Sequence, residues 1–292
     1  MPDFWTHILG GSEIIRGIKN EEIKEIVKEN NKVFNFGCQG PDLFFYNDFW
    51  PWIKDKRGPE AGQKMHQKKV KELVLNSYTY LKDMEHNKDI DRNDYNRLTA
   101  YICGFICHYI IDKTTHPFIF ARAGDEQEHK RLEQNIDSYL INKYRGENVC
   151  QLPPFKAIYL GKNLPLPIIN YYSHVLKEIY NQDKQIDFIN DSYQDCRHVL
   201  WIFYSPYRIK YNILRFINRL TSIDLTTYSY QANSRLKLLE NEGYQEFETF
   251  FQQGIGEGRE LINLLDDYLD DRVEKHYLWN KLPDYTFTGE KI

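Results

Sequence analysis

The segment "HYIIDKTTH", residues 108–116, sets His108, Asp112 and His116 at four-residue steps directly after the apolar run "YICGFIC". Residues four apart in an α-helix lie on one face, about 40° apart around the axis. His108 and Asp112 can therefore hold a single ion from one helix. The apolar setting makes the pair informative, because a buried charge costs several kcal/mol unless it is paired or ligated. From these residues alone, a ligand pair and a buried ion pair both stay open. His116 precedes Pro117, which biases it out of helical geometry and predicts that the helix ends there. His129 and Glu133 repeat the four-residue step within "EHKRLE", a pattern that by itself reads as a solvated helix face. Two such pairs linked by His116 suit zinc, which takes imidazole nitrogen and carboxylate oxygen from three or four protein ligands.

Three earlier segments can add ligands: "THILGG" with His7, "FGCQGPDLFFY" with Asp42, and "GQKMH" with His66. Asp42 follows Gly40-Pro41 and precedes Leu43-Phe44-Phe45, a turn that carries its carboxylate into aromatic surroundings or else caps a helix. His7 and His66, each taken singly, are ordinary histidines. Competing chemistries lack their parts. "DIDRND" begins like a calcium loop, but Asp94 stands at the turn glycine and Ala100 at the bidentate Glu. "GIGEG", residues 254–258, follows no strand and reads as a turn between helices. Phosphate-loop, G-x-S-x-G and H-E-x-x-H patterns are absent from the sequence. Cys103 and Cys107, four apart on the apolar run, read as core thiols.

The elements that must position these residues are helical. Asn20 is a cap ahead of Glu21 and Glu22, and residues 62–84 carry Val70, Leu73, Val74 and Leu81 near helical spacing. Asp94 can open a helix through "YNRLTAYICGFICHYIID", and "DEQEHKRLEQNIDSYLINKY" forms another. Further runs lie near 168–181, 206–220 and 256–273. Sustained period-two alternation is missing, so the fold class is all-α. With 22 Tyr and 17 Phe, much of the packing must be aromatic. The proline-rich stretch 151–167 divides residues 1–150, a metal-binding helical core, from residues 151–292, additional helices expected on the same core. The net charge of −4 disfavours nucleic acid as a partner. No stretch is apolar for long enough to span a membrane, and the N-terminus lacks signal-peptide character, so the expected location is cytoplasmic.

The ordered set His7, Asp42, His66, His108-x-x-x-Asp112, His116, His129-x-x-x-Glu133 resembles the ligand set of the bacterial zinc-dependent phospholipase C family. That family is related in fold to the secreted zinc nucleases that cut single strands. The resemblance covers roughly residues 5–140, and "GCQGPDLFFY" and "HYIIDKTTHP" are its most specific parts. It implies a multi-helix bundle and two to three zinc ions. Asp42, His66, His108 and Asp112 would hold the first, and His116, His129 and Glu133 the second. His7 and Asp112 would hold the third, with Asp112 bridging. It also implies phosphodiester hydrolysis, phospholipid included, by a zinc-activated hydroxide attacking phosphorus, with Asp42 as a ligand or as a base. A nuclease or small-diester phosphoesterase would use the same metals, and a non-catalytic protein would keep them for folding. The secreted enzymes complete the third position with the amine of an N-terminal tryptophan. Trp5, the nearest tryptophan here, is internal, so the ion at His7 is expected to be the weakest.

One feature lies outside that resemblance. Residues 196–223 contain no Asp or Glu but include Arg197, Arg208, Lys210, Arg215 and Arg219. Arg208, Arg215 and Arg219 share a helical stripe that could meet a phosphate or lipid headgroup. Pairing with the acidic stretch "LLDDYLDDR" is the competing expectation.

Overall fold

The computed structural model describes residues 4–50, 53–87, 89–182, 186–219, 224–230 and 241–292. In chain order its helices are α1 (Phe4–Arg16), α2 (Glu21–Glu29), α3 (Asn31–Gly37), α4 (Leu43–Tyr46), α5 (Gly58–Gln67), α6 (Val70–Glu85) and α7 (Arg92–Phe120). They continue as α8 (Glu126–Arg145), α9 (Pro154–Ala157), α10 (Leu166–Glu178), α11 (Ile186–Phe203), α12 (Ile209–Asn218), α13 (Asn241–Leu269) and α14 (Lys275–Lys281). Among the described residues the only β-type pairing is an isolated antiparallel bridge between Tyr285 and Lys291. The fold is all-α.

Side-chain caps start α2, α7 and α8. Asn20 accepts from the Ile23 amide at 3.0 Å, and Asp125 accepts from the Glu128 amide at 2.8 Å. The cap of α7 is Asp91, which accepts from the amide of Asp94 at 2.8 Å; Asp94 itself lies within the first turn.

α7 is the axis of the molecule. Between Leu98 and Ile119 only Lys113 and Pro117 are not buried, as expected of a helix that is apolar on every side. α1, α2, α3, α6, α10 and α13 pack around it. Its contact with α3 depends on two glycines. A Cβ on Gly104 would lie 2.3 Å from the Phe34 carbonyl oxygen, and one on Gly37 would lie 2.2 Å from that of Tyr101. Backbone therefore meets backbone, which brings the loop after α3 onto the side of α7 that carries His108.

Several expected boundaries move. Residues 62–84 form two helices, because Lys69 takes a left-handed conformation with φ 54° between α5 and α6. The helix carrying His116 does not stop at Pro117. It runs to Phe120, because Phe118 and Ile119 are buried and Phe118 packs on Phe247 and Phe250 of α13. Packing of that kind outweighs the lost proline hydrogen bond. "GIGEG" lies inside α13, and two of its three glycines face neighbouring helices: a Cβ on Gly254 would meet Thr114, and one on Gly258 would meet Ile14. α11 was not anticipated. The acidic stretch after Leu264 does not turn to α12: Arg272 bonds Asp266, Asp267 and Asp270, and Lys82 bonds Asp271.

One apolar cluster extends from Phe4 to Phe287 and includes side chains of α1, α7, α10, α11 and α13. Cys103 and Cys107 are buried within it. Burial pushes the Cys103 thiol up to about 12 and the Cys107 thiol well above its usual value, so both behave as apolar groups. Among the described residues no helix is long and apolar enough to cross a membrane.

Candidate metal centre

α7 contributes His108, Asp112 and His116 from successive turns, and each of the three is buried. α1 adds His7, the turn at residues 40–42 adds Asp42, α5 adds His66, and α8 adds His129 and Glu133. The fold gathers these eight side chains into three groups whose donor atoms lie within 4.8 Å of one another: His7, His108 and Asp112; Asp42, His66 and His108; His116, His129 and Glu133.

Asp112 stands between the groups. Its Oδ1 lies 3.2 Å from His7 Nε2 and 3.4 Å from His116 Nδ1, and its Oδ2 lies 3.5 Å from His108 Nε2. Neither oxygen has an aligned hydrogen-bond donor, although both are buried. His108 Nε2 and both ring nitrogens of His7 share that condition. In folded proteins at large most buried polar atoms are satisfied, and here five that are not lie together on His7, His108 and Asp112. Orphaned imidazole nitrogens facing orphaned carboxylate oxygens fit a cation that prefers nitrogen and oxygen donors, which is zinc's donor set.

The imidazoles are aimed by backbone carbonyls. His66 Nδ1 donates to the Gly62 carbonyl at 2.7 Å, which turns Nε2 toward Asp42 Oδ1 at 2.9 Å. His108 Nδ1 donates to the Cys38 carbonyl at 3.1 Å, and His116 Nδ1 to that of Asp112 at 3.1 Å. Such bonds fix the tautomer and leave Nε2 as the ligating atom. Gly40, with φ +50°, is required beside His108, since a Cβ there would sit 2.2 Å from the imidazole Cδ2. Asp42 does not cap α4, and its carboxylate is turned to His66 instead. Glu133 is buried and bonded to His129 Nε2 at 2.8 Å, so the solvated-face reading of "EHKRLE" fails.

Burial and neighbours divide the titration behaviour. Burial pushes His108 and His116 well below the usual imidazole value. For His7 and His66, burial is outweighed by Asp112 and Asp42 respectively, which raise them. Burial raises Asp112. Burial would also raise Asp42, but His108 and His66 outweigh it and hold the carboxyl below its usual range.

Two contributors had no motif to announce them. Phe287, fully buried near the C-terminal end, places its ring 4.8 Å from that of His66 and 5.6 Å from that of His108, and its amide donates to the His66 carbonyl at 3.1 Å. Asp137 on α8 accepts the Trp5 and Thr6 amides at 2.8 and 2.7 Å, capping α1 and thereby seating His7. The Trp5 amide is therefore already engaged. A cavity of about 600 Å³ opens beside the centre, lined by His66, His116 and His129, by the aromatic side chains Phe45, Phe49, Phe203, Tyr204 and Tyr228, and by Lys56 and Lys130. Arg208, Arg215 and Arg219 are exposed and do not line it.

A bundle that gathers five histidines and three carboxylates, all but His129 buried, around one long helix defines a candidate helical metal centre. The chain belongs to the zinc dependent phospholipase C family, whose family model matches residues 6–186. The match runs through α10, well past residue 140, where the resemblance in the sequence ended. No curated protein and no solved structure matched the chain.

Proposed function

We propose that the protein is a zinc-dependent phosphodiester hydrolase of the phospholipase C type, with a phospholipid as the favoured substrate. The observation that carries this reading is Asp112, fully buried with both carboxylate oxygens unbonded among His7, His108 and His116. Asp42, His66, His108 and Asp112 would hold one ion, His116, His129 and Glu133 a second, and His7 with Asp112 a third. Zinc, when bound there, supplies Lewis-acid polarisation of the phosphoryl oxygens and a nucleophile at neutral pH.

The chain's own groups do the rest. The aromatic cavity wall excludes water and accepts apolar substrate, which strengthens every charge interaction inside it. Lys56 and Lys130, both on the cavity lining, offer positive charge to a phosphate. Asp42 stays ionised because His108 and His66 favour its charged form, which suits a ligand better than a proton-accepting base.

Aromatic platforms also suit stacked bases, so the test compares three substrates: a soluble chromogenic phosphocholine diester, phosphatidylcholine vesicles and single-stranded DNA. The reading expects choline-ester hydrolysis that is lost on chelation and restored by zinc. A fully zinc-loaded protein that cleaves none of the three would make the metals structural, and cleavage of DNA alone would make it a nuclease.

A further inference from the structure

α12 turns an apolar stripe away from the core. Ile209, Ile213 and Phe216 recur on one face at helical spacing, yet they are 67%, 55% and 61% exposed. Only Leu214 of that helix is buried. Trp201, at the end of α11, and Tyr207, in the connection between the two helices, are also exposed large side chains. Lys210 joins Trp201 to α12: its ammonium donates to the Trp201 carbonyl at 2.7 Å and lies 3.9 Å from the centre of the indole ring.

Within the segment that carries this stripe the charged side chains have one sign, and Asp224, just beyond it, is paired with Arg131. Residues 196–223 carry five cations and no carboxylate side chain, and Arg208, Arg215 and Arg219 are exposed. The same segment forms part of the cavity wall. Phe203, Tyr204 and Ser205 line the cavity, and Tyr207 follows two residues later. α12 lies beyond residue 186, outside the region matched by the family.

We propose that α12 and the preceding turn dock the protein on an anionic phospholipid surface. Ile213 and Phe216 enter the acyl boundary, and the arginines meet the lipid phosphates. A helix with an apolar face, cationic flanks and neighbouring Trp and Tyr has the composition of an interfacial helix. A water-soluble protein partner would have to offer both an apolar groove and acidic rims, whereas a bilayer with acidic lipid supplies both at once. The proposal rests on the phospholipase reading for its purpose, since docking at the cavity wall hands a lipid to the metal centre without full extraction.

Co-sedimentation of the zinc-loaded protein with vesicles tests it, using pure phosphatidylcholine and phosphatidylcholine mixed with phosphatidylglycerol. Binding should be stronger to the mixed vesicles and weaken with salt. The variant carrying Ile213→Asp and Phe216→Asp should lose about ten-fold or more in vesicle affinity, with an unchanged circular dichroism spectrum and unchanged hydrolysis of the soluble diester. Arg215→Gln with Arg219→Gln should remove most of the preference for phosphatidylglycerol. Equal vesicle binding by the aspartate variant and the parent, or no binding by the parent, would overturn the proposal. So would a parent dimer, seen by light scattering, that the aspartate variant dissolves without change in vesicle binding. Vesicle binding without hydrolysis of any diester would leave the docking surface standing and remove the catalytic reading; hydrolysis of the soluble diester without vesicle binding would do the reverse.

Discussion

Asp112 illustrates how much one residue can determine. Its carboxylate is within 3.5 Å of nitrogens from His7, His108 and His116, whereas Glu133 belongs to a single group, with His116 and His129. Asp112→Asn should therefore lower zinc content more than Glu133→Gln, and elemental analysis of the two purified variants compares them directly; equal losses would refute the bridging role. His108 adds a second consequence. Its Nδ1 is held by the Cys38 carbonyl, so only Nε2 remains, yet it belongs to two of the three groups. If that nitrogen serves the ion at Asp42 and His66, His7 keeps only a share of Asp112, fewer protein ligands than the three a catalytic zinc usually has. The ion beside His7 should be the most weakly held, and anomalous scattering without added zinc should show lower occupancy there than beside His66. Protons follow the same geography. His7 and His66 are raised by Asp112 and Asp42, so in the metal-free protein each holds its proton above the free-imidazole value of about 6.5. Zinc must displace those protons. Affinity should accordingly rise as pH increases through and above that value, and calorimetry in buffers of different ionisation enthalpy should register net proton release. Uptake without release near neutral pH would contradict the assignment of His7 and His66 as ligands.

At the scale of elements, the site is a product of close approaches. The Gly37–Gly104 contact sets α3 on α7 and so delivers the Cys38 carbonyl to His108. The segment after α14 closes the opposite side by placing Phe287 against His66, His108, Phe105 and Tyr109. Removing a fully buried ring leaves a cavity, and Phe→Ala substitutions in cores cost about 3–5 kcal/mol. Phe287→Ala should lower the free energy of unfolding by an amount in that range and also speed zinc release to a chelator, because the His66 ring loses a packing partner while the backbone bond to its carbonyl remains. A loss of stability with unchanged zinc release would make Phe287 a packing residue only.

For the whole molecule, the continuous core from Phe4 to Phe287 gives the metal-binding helices and the later helices shared packing. Chelator-treated protein should unfold in one transition by circular dichroism and by tryptophan fluorescence alike, and two separated transitions would assign residues 151–292 a core of their own. Ligands that bind only the folded state stabilise it by mass action, about 2.7 kcal/mol at a hundredfold excess over Kd. Added zinc should shift that single transition upward.

The helical class and the four-residue steps of the candidate ligands were legible in the sequence because each depends on local chemistry. Imidazole and carboxylate at four-residue steps share a helix face in any context, and Asn20 caps α2 through a bond to its own first turn. Tertiary packing decided the remainder. Pro117 signals a helix end, but α13 holds Phe118 in helical register, so His116 points back to the centre. The i,i+4 pattern of "EHKRLE" is the same on a wet face or a buried one; only the fold around α8 buries Glu133. Phe287 and Asp137 carry no spacing signal at all, since their partners lie far away in the chain. The period of α12 shows that it is amphipathic, but which way its apolar stripe faces is set by the neighbours that cover Leu214 and leave Ile213 and Phe216 in water.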